Sequence, residues 1–196
     1  MKRIRLLAAA ALILGGSVAV AMPTATAATA SAHASASQDK ADAIPCEGRS
    51  TLCIVNKDGL CLGLQGGRSD VPAVQFTCEV AANQDWHWGS ELGTTNYFQL
   101  KNGDNQCLAV AAGSKARGAH IYGWRCLGTS HPDQYWANGA DSSGKGNGII
   151  INYHSQLVLG VAGASTKPGA DIVQWSIKHT ADQFWSECSI FGCYAD

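Results

Sequence analysis

The acidic residues of this chain that could take part in catalysis are spread along its length. An acidic or amide residue stands directly before each of three Gln-x-Trp elements, at Asn83, Asp133 and Asp182. Hydrolysis of a glycosidic bond needs two carboxyl groups held about 5–10 Å apart. Because Asp133 and Asp182 belong to separate elements, the sequence does not indicate such a pair, and it contains neither GxSxG nor a phosphate-binding loop. We therefore expect a binding protein without catalytic residues.

The cysteines and histidines favour structural roles over metal binding. CxxC and HExxH are absent from the sequence, and the histidines are not paired with cysteines. A zinc site needs clustered ligands at short spacing, so we expect no metal and no cofactor. An even number of cysteines, all after the first 45 residues, is typical of disulfides in an exported protein. We expect surface or hydrogen-bonded roles for five histidines: His87, His120, His131, His154 and His179.

The N-terminal segment has the layout of a secretory signal peptide. Three basic residues precede an apolar run, which is followed by small residues offering a cleavage site near residue 27. That apolar run is shorter than the roughly 20 residues of a membrane span. Residues 28–45 are small and polar and predict a disordered tail or linker. We expect a secreted, extracellular monomer, without membrane insertion, whose folded domain spans residues 46–196.

The charge balance argues against a nucleic-acid partner. Removing residues 1–27 lowers the number of basic residues from 14 to 11 against 15 acidic ones, a net charge of −4. No basic run remains in the mature chain, so nucleic acids and anionic membranes are poor candidate partners.

The three Gln-x-Trp elements mark an internal repeat. The intervals between Gln84, Gln134 and Gln183 are 50 and 49 residues. Aligning the copies on these glutamines brings other features into register, because each copy begins with an apolar run ending at Asn: LCIVN, FQLKN and IIIN. The repeats cover about residues 50–90, 96–140 and 147–188.

Within each copy, short apolar runs alternate with Gly, Asn, Asp and Ser. Runs of four to six residues rich in Val, Ile, Leu and aromatics predict strands and tight turns. Three units of about four strands cannot each bury a face alone, so we expect them to close a threefold, all-β barrel. The repeated Gln and Trp side chains are predicted to form its structural core: Gln84, Trp86, Gln134, Trp136, Gln183 and Trp185.

The cysteines follow the same register. Cys61 and Cys78 occupy the places of Cys107 and Cys126 in the next copy, which predicts two bonds, Cys61–Cys78 and Cys107–Cys126. Each would close a loop of about 18 residues and stabilise the fold by about 3 kcal/mol. The third copy has an apolar pair at the corresponding places, Val158 and Ile177.

Four cysteines flank the repeats, and their pairing stays open. In a closed barrel the first and last strands are neighbours, so Cys53–Cys188 and Cys46–Cys193 would join the chain ends. The local pairs, Cys46–Cys53 and Cys188–Cys193, are the alternative.

Three repeats, two of them with a cysteine pair and each ending in Gln-x-Trp, resemble the ricin B-chain-like (R-type) lectin family across the whole folded part. The resemblance implies a β-trefoil of three pseudo-equivalent four-stranded repeats, with up to one shallow sugar site per repeat. Transferred by position, each site combines an aromatic platform with the polar residue before the Gln-x-Trp glutamine. The implied pairs are Phe76 with Asn83, Trp124 with Asp133, and Trp175 with Asp182.

The chain departs from this resemblance at one position of each site. The family typically has an aspartate two residues after the first cysteine, where this sequence has Gly63, Ala109 and Gly160. Gln75 and Gln174 stand next to the aromatic residues, but side chains alternate along a strand, so we expect them to face away from the site. Asp133 and Asp182 are the candidate replacement acceptors. Without the family's aspartate, the three aromatic residues could either stack on a sugar or pack on the barrel flank.

Two functions fit these features. The first is glycan or polysaccharide binding through weak sites of about millimolar affinity, with useful affinity arising from several sites on one polymer. The second is a trefoil whose sugar sites have decayed and whose loops, such as residues 139–148, bind a protein partner as an inhibitor or toxin-associated subunit.

Overall fold

The computed structural model describes residues 52–66, 70–139, 148–189 and 191–194. The predicted signal peptide, the predicted tail and Cys46 lie outside them. None of the helices in the described part is long and apolar enough to cross a bilayer. The described chain forms thirteen strands: β1 (Cys53–Asn56), β2 (Leu60–Leu64), β3 (Val71–Thr77), β4 (Trp86–Glu91), β5 (Phe98–Asn102), β6 (Gln106–Val110), β7 (Ile121–Arg125), β8 (Tyr135–Gly139), β9 (Ile149–Asn152), β10 (Val158–Val161), β11 (Ile172–Trp175), β12 (Trp185–Ser189) and β13 (Gly192–Tyr194).

Six strands close a barrel. β1 pairs with β12, β4 with β5 and β8 with β9, all antiparallel. β5 also pairs with β8, and reciprocal backbone hydrogen bonds between Leu52 and Trp86 join β1 to β4. The backbone N–H of Trp185 donates to the carbonyl of Gly148, which links β12 to the segment before β9. Closure in this order hides the barrel's strand edges.

Three antiparallel hairpins, β2–β3, β6–β7 and β10–β11, cover one end of the barrel. Each hairpin touches both others: β3 pairs with β7, Val74 bridges to Asp171, and His120 bridges to Val173. Each repeat thus supplies two barrel strands and one hairpin made from its four strands. This confirms the predicted all-β fold, a β-trefoil of three four-stranded repeats, with β13 as an additional strand after the third repeat.

The repeated tryptophans lie in the core where the hairpins meet the barrel. Trp86, Trp136 and Trp185 are at most 1% exposed. A buried indole must satisfy its N–H, and each Nε1 donates to the backbone carbonyl of a hairpin strand. The acceptors and distances are Leu62 at 2.9 Å, Leu108 at 2.8 Å and Leu159 at 3.3 Å.

The repeated glutamines tie the chain after each hairpin to the short 3-10 helix that ends on the glutamine. The second repeat shows the arrangement: the Oε1 of Gln134 accepts from the N–H of Leu127 (2.8 Å), and its Nε2 donates to the carbonyl of Arg125 (3.0 Å). Gln84 and Gln183 make the same two kinds of bond with their own repeats. These buried amides therefore fix each 3-10 helix against the end of a hairpin.

The asparagine that ends the first strand of each repeat shapes the following turn. The Oδ1 of this asparagine accepts hydrogen bonds from two backbone N–H groups that lie two to four residues further along the chain. The acceptors are Asn56, Asn102 and Asn152, and the distances are 2.8–3.1 Å. This side-chain turn explains why the apolar run ends at Asn in all three copies.

The two bonds within repeats, Cys61–Cys78 and Cys107–Cys126, are present. In the third repeat, Val158 is buried whereas Ile177 is 40% exposed, so that apolar pair is not closed off from solvent.

Of the two alternatives for the outer cysteines, the pairing Cys53–Cys188 with Cys46–Cys193 is wrong, and the local bond Cys188–Cys193 is present. The reason is geometric. Cys188 lies opposite Cys53 across β1 and β12, as barrel closure predicts, but it also lies opposite Cys193 across the tight β12–β13 hairpin. Cys53 is also disulfide-bonded, to a partner outside the described residues.

Replacing the buried Trp136 by phenylalanine should destabilise the protein. Trp136→Phe removes the donor to Leu108 and leaves a void, so we expect a loss of about 2 kcal/mol in the free energy of unfolding. Denaturant unfolding measures the change, with Trp175→Phe at a 37% exposed position as the matched control. Equal losses in the two variants would contradict the core role of Trp136.

Candidate functional site

Two clefts open on the outer side of the hairpins and contain the tryptophans and aspartates implied by the resemblance. Cleft 2, in the second repeat, has a volume of about 830 Å³ and is lined by Asp70, Tyr122, Trp124, His131, Asp133 and the loop Ala111–Gly113. Cleft 3, in the third repeat, has a volume of about 500 Å³ and is lined by His120, Trp175, Lys178, Thr180, Asp182 and the loop Ala162–Ala164.

Strand alternation places the tryptophans in the clefts. In β7, Tyr122 and Trp124 both line cleft 2, while Gly123 between them is buried. In β11, Trp175 lines cleft 3 and the adjacent Gln174 is fully buried. The two-residue period of a strand therefore turns one residue towards the ligand side and its neighbour towards the core.

The aspartates reach the clefts because of the 3-10 helices Pro132–Gln134 and Ala181–Gln183. The glutamine at the end of each helix donates a hydrogen bond to the carbonyl of the residue directly after the tryptophan, Arg125 or Ser176. The residue before that glutamine is thereby held opposite the tryptophan, at the cleft.

Small residues form the base of each cleft, where the resemblance implies an aspartate. A Cβ atom placed on Gly160 would lie 3.4 Å from the Oδ2 of Asp182. The carboxylate of Asp182 thus stands beside the position of the missing acid, and an aspartate at residue 160 would bring two carboxylates together. Ala109 lies at the equivalent place in cleft 2, opposite Tyr122.

The first repeat is arranged differently. The ring of Phe76 covers Gly63, where an added Cβ would lie 2.7 Å from the ring Cδ2. The Nδ2 of Asn83 donates to the carbonyl of Leu64 (2.8 Å), so this amide is already bound to the backbone. Phe76 and Asn83 therefore make packing and hydrogen-bond contacts within the first repeat itself, which leaves less of each side chain available to a ligand.

Gln75 and Gln174 are fully buried and hold loops of neighbouring repeats. The Nε2 of Gln174 donates to the carbonyls of Ser114 (2.8 Å) and Ala116 (2.9 Å), which follow the loop that lines cleft 2. The Nε2 of Gln75 does the same for the loop after cleft 3, at Ser165 (2.8 Å) and Lys167 (2.7 Å). Each cleft wall is thus fixed by a side chain from another repeat.

Asp133 is a shielded carboxylate in the wall of cleft 2. Its side chain is 14% exposed, and the Nδ1 of His131 lies 3.9 Å from its Oδ1. Burial raises the pKa of Asp133 above its usual value, against smaller lowering effects from a backbone hydrogen bond and from His131 and His154. Its carboxylate is therefore an acceptor with little water around it.

A lysine lies over the platform of cleft 3. The Nζ of Lys178 is 5.7 Å from the ring centroid of Trp175, which is a cation–π distance. The Trp175 side chain is still 37% exposed. Cleft 3 therefore combines an accessible indole, a cation and the carboxylate of Asp182.

Sequence reasoning missed several residues that line the clefts. Asp70 and His120 come from the repeat before the one that supplies the tryptophan, so alignment of equivalent positions within one repeat could not assign them. His131 and Lys178 belong to the correct repeats and lie two and four residues before Asp133 and Asp182. Their proximity to these aspartates in the sequence was the available signal.

Replacing Asp133 by asparagine should stabilise the protein at neutral pH. The folded-state pKa of Asp133 is raised, so this group favours folding at acid pH, and that contribution is lost as the pH rises through the raised pKa. We expect Asp133→Asn to unfold at a higher temperature than wild type at about pH 7, with the difference shrinking towards about pH 4.

Thermal unfolding followed by circular dichroism across this pH range measures the effect. Asp104→Asn is the control, because Asp104 is exposed and the substitution changes the net charge equally. A lower unfolding temperature for Asp133→Asn at pH 7, or a difference that does not vary with pH, would contradict the desolvation of Asp133.

Solved structures with the same architecture show low sequence identity to this chain. The designed threefold-symmetric protein ThreeFoil is 22% identical, with a TM-score of 0.63 over 70% of this chain and 97% of ThreeFoil. The C-terminal half of an earthworm R-type lectin, solved with GalNAc, is 15% identical, with a TM-score of 0.54 over 70% of this chain and 97% of that chain.

An exo-β-1,3-galactanase from Clostridium thermocellum contains a similar module. It is 22% identical with a TM-score of 0.62, and the match covers 73% of this chain but 31% of the galactanase. At these identities the structures establish the fold alone. No curated protein sequence matches the chain.

The sequence match to a domain family is more extensive. The family of ricin-type β-trefoil lectin domain-like sequences matches residues 44–124 and 82–175, which together make up more than half of the chain. The chain therefore belongs to the ricin-type β-trefoil lectin-like domain family.

Proposed function

We propose that the chain is a secreted protein that binds glycans or polysaccharide through clefts 2 and 3. The observation that carries this proposal is that a tryptophan and an aspartate line the same cleft in two repeats, Trp124 with Asp133 and Trp175 with Asp182. An indole offers a flat apolar surface to the C–H face of a pyranose. A carboxylate accepts charge-assisted hydrogen bonds from sugar hydroxyls. The two groups together supply the contacts that a shallow sugar site needs.

Cleft 2 is the stronger of the two proposed sites. It is the larger cleft, and its Tyr122 and Trp124 lie on the same face of β7. The low exposure of Asp133 makes a hydrogen bond to its carboxylate stronger than one in open water. A sugar stacked on Trp124 with hydroxyls on Asp133 uses both advantages.

In cleft 3 a sugar must share Trp175 with Lys178. The ammonium group already lies over the indole at 5.7 Å. A pyranose that stacks on the same face has to displace this side chain, which is exposed and free to adopt other rotamers at small cost. Cleft 3 is therefore proposed as a weaker second site.

Phe76 and Asn83 complete the proposed set as the weakest site. Because the Nδ2 of Asn83 is bonded to Leu64, this side chain offers a sugar chiefly its carbonyl oxygen. Phe76 lies over Gly63 and presents a smaller ring than an indole.

Binding at more than one site fits the distribution of the tryptophan–aspartate pairs. Asp133 and Asp182 line separate clefts, each beside its own tryptophan. Weak sites of about millimolar affinity gain strength when two of them engage one polymer. The predicted signal peptide and the disulfides are compatible with action outside the cell.

Removing the two tryptophan platforms should abolish polysaccharide binding. We expect Trp124→Ala to lower affinity for a bound polymer about tenfold, Trp175→Ala to lower it less, and the double variant to lose binding, because both stacking and bivalency are lost. A panel of glycans and insoluble polysaccharides, read by pull-down and by calorimetry, measures these changes. Phe191→Ala is the matched control, since it truncates an 84% exposed aromatic residue outside both clefts.

Two outcomes would count against carbohydrate binding. One is a wild-type chain that binds none of the glycans, and the other is a folded double variant that binds as well as wild type. Either result would favour the protein-partner function, for which a pull-down with and without the loop 139–148 is the next test. Residues 140–147 of that loop lie outside the described part of the chain.

A further inference from the structure

Cleft 2 is built by two repeats. Asp70 and Pro72 belong to the first repeat, yet both line the cleft that contains Trp124. Antiparallel pairing of β3 with β7 sets Pro72 opposite Tyr122, and the backbone N–H of Asp70 donates to the carbonyl of Gly123 at 2.7 Å. The position of residue 70 relative to Trp124 is therefore fixed by backbone hydrogen bonds one residue away from the indole.

Asp70 has a backbone conformation that its counterparts achieve with glycine. Asp70 lies six residues before Phe76 and has a φ of +68°. The residues six positions before Trp124 and Trp175 are Gly118, with a φ of +80°, and Gly169, with a φ of +86°. Glycine adopts this left-handed region freely, whereas an aspartate does so at a cost in free energy. Glycine would fit this conformation with less strain, and the carboxylate at residue 70 is what distinguishes this position from Gly118 and Gly169.

The counterpart position in cleft 3 indicates which group a side chain at residue 70 starts beside. A Cβ atom placed on Gly118 would be 3.2 Å from the Cζ3 of Trp175. By the pseudo-threefold symmetry, a side chain at residue 70 borders the indole of Trp124. Asp70 and Asp133 thus place two carboxylates around one tryptophan platform.

The two clefts differ in charge as a result. Cleft 2 is lined by the two carboxylates and by His131, and the described residues that line it include neither lysine nor arginine. Cleft 3 has one carboxylate, Asp182, and the ammonium of Lys178. A ligand that carries a charge will therefore meet opposite environments in the two sites.

We infer that Asp70 is a specificity-determining residue of cleft 2, which selects sugars with a free, protonated amine over their N-acetylated forms and disfavours uronic acids. This inference rests on the carbohydrate binding proposed above. An ammonium group donates charge-assisted hydrogen bonds to carboxylates and is attracted to an indole face, whereas an acetamide has neither advantage. A uronate would bring a third carboxylate beside Asp70 and Asp133, and the described lining offers it no lysine or arginine as a partner.

The test compares three oligosaccharides of equal length made of glucosamine, N-acetylglucosamine or galacturonic acid. Calorimetry at about pH 6, where the amine is protonated, gives their affinities for the wild-type chain, Asp70→Asn and Asp70→Gly. Asparagine keeps the shape of the side chain without its charge, and glycine reproduces the other repeats. Asp104→Asn, an exposed turn residue outside the cleft linings, controls for net charge.

We expect wild type to prefer glucosamine over N-acetylglucosamine, and each Asp70 variant to reduce that preference about two- to fivefold, the range of a partly exposed ion pair. The preference should also weaken with added salt, and Asp104→Asn should leave it unchanged. A preference for the acetylated or acidic sugar in wild type, or an equal ratio in Asp70→Asn, would overturn the role of Asp70. If the three sugars bind without that preference and Trp124→Ala abolishes their binding, the role of Asp70 fails and the carbohydrate function survives. If none of the three binds, the role of Asp70 also fails, and the wider panel of glycans and polysaccharides decides the carbohydrate function separately.

Discussion

The hydrogen bond from each buried indole to a hairpin carbonyl is the constraint on which the trefoil depends. Trp86, Trp136 and Trp185 sit at the start of barrel strands and donate to β2, β6 and β10 respectively. An indole N–H left without an acceptor in this core would carry its full desolvation cost. Each hairpin must therefore lie where one of its carbonyls can accept the indole hydrogen bond. One interaction, made three times, fixes hairpin to barrel and buries the largest side chains of the core.

The geometry of the clefts follows from these indole–carbonyl hydrogen bonds. The anchored carbonyls belong to Leu62, Leu108 and Leu159, which directly precede the small residues at the base of each site. On the other side, the glutamine two residues before each tryptophan holds the 3-10 helix that presents Asp133 or Asp182. Gln and Trp are committed to the fold, and the residue before the glutamine lines a cleft in the second and third repeats. The same tetrapeptide therefore combines core packing with part of a cleft wall.

Contacts between repeats make the sites unequal although the repeats are similar. Gln174 and Gln75 fix the loops beside clefts 2 and 3, whereas the corresponding residue of the second repeat is Gly123. A Cβ atom there would collide with Leu64, which belongs to the first repeat. This close approach accompanies the pairing of β3 with β7, and that pairing carries Asp70 to cleft 2. Divergence at this buried position thus changes how the neighbouring loop is held, whereas the backbone hydrogen bond from residue 70, 118 or 169 is the same in all three repeats.

The sequence by itself determined the features that recur at fixed spacing along the chain, which are the three units, their strands and the two cysteine pairs within repeats. It also implied, by resemblance, the tryptophan and aspartate that meet in each cleft. These features depend on positions a fixed distance apart within one unit, so an alignment of the copies exposes them. Only the tertiary structure decided which outer cysteines bond, because Cys188 is a register partner of both Cys53 and Cys193. It alone brought Asp70 and His120 into the clefts of the following repeats, since such contacts depend on how hairpins pack around the axis, and no spacing within a repeat encodes that packing.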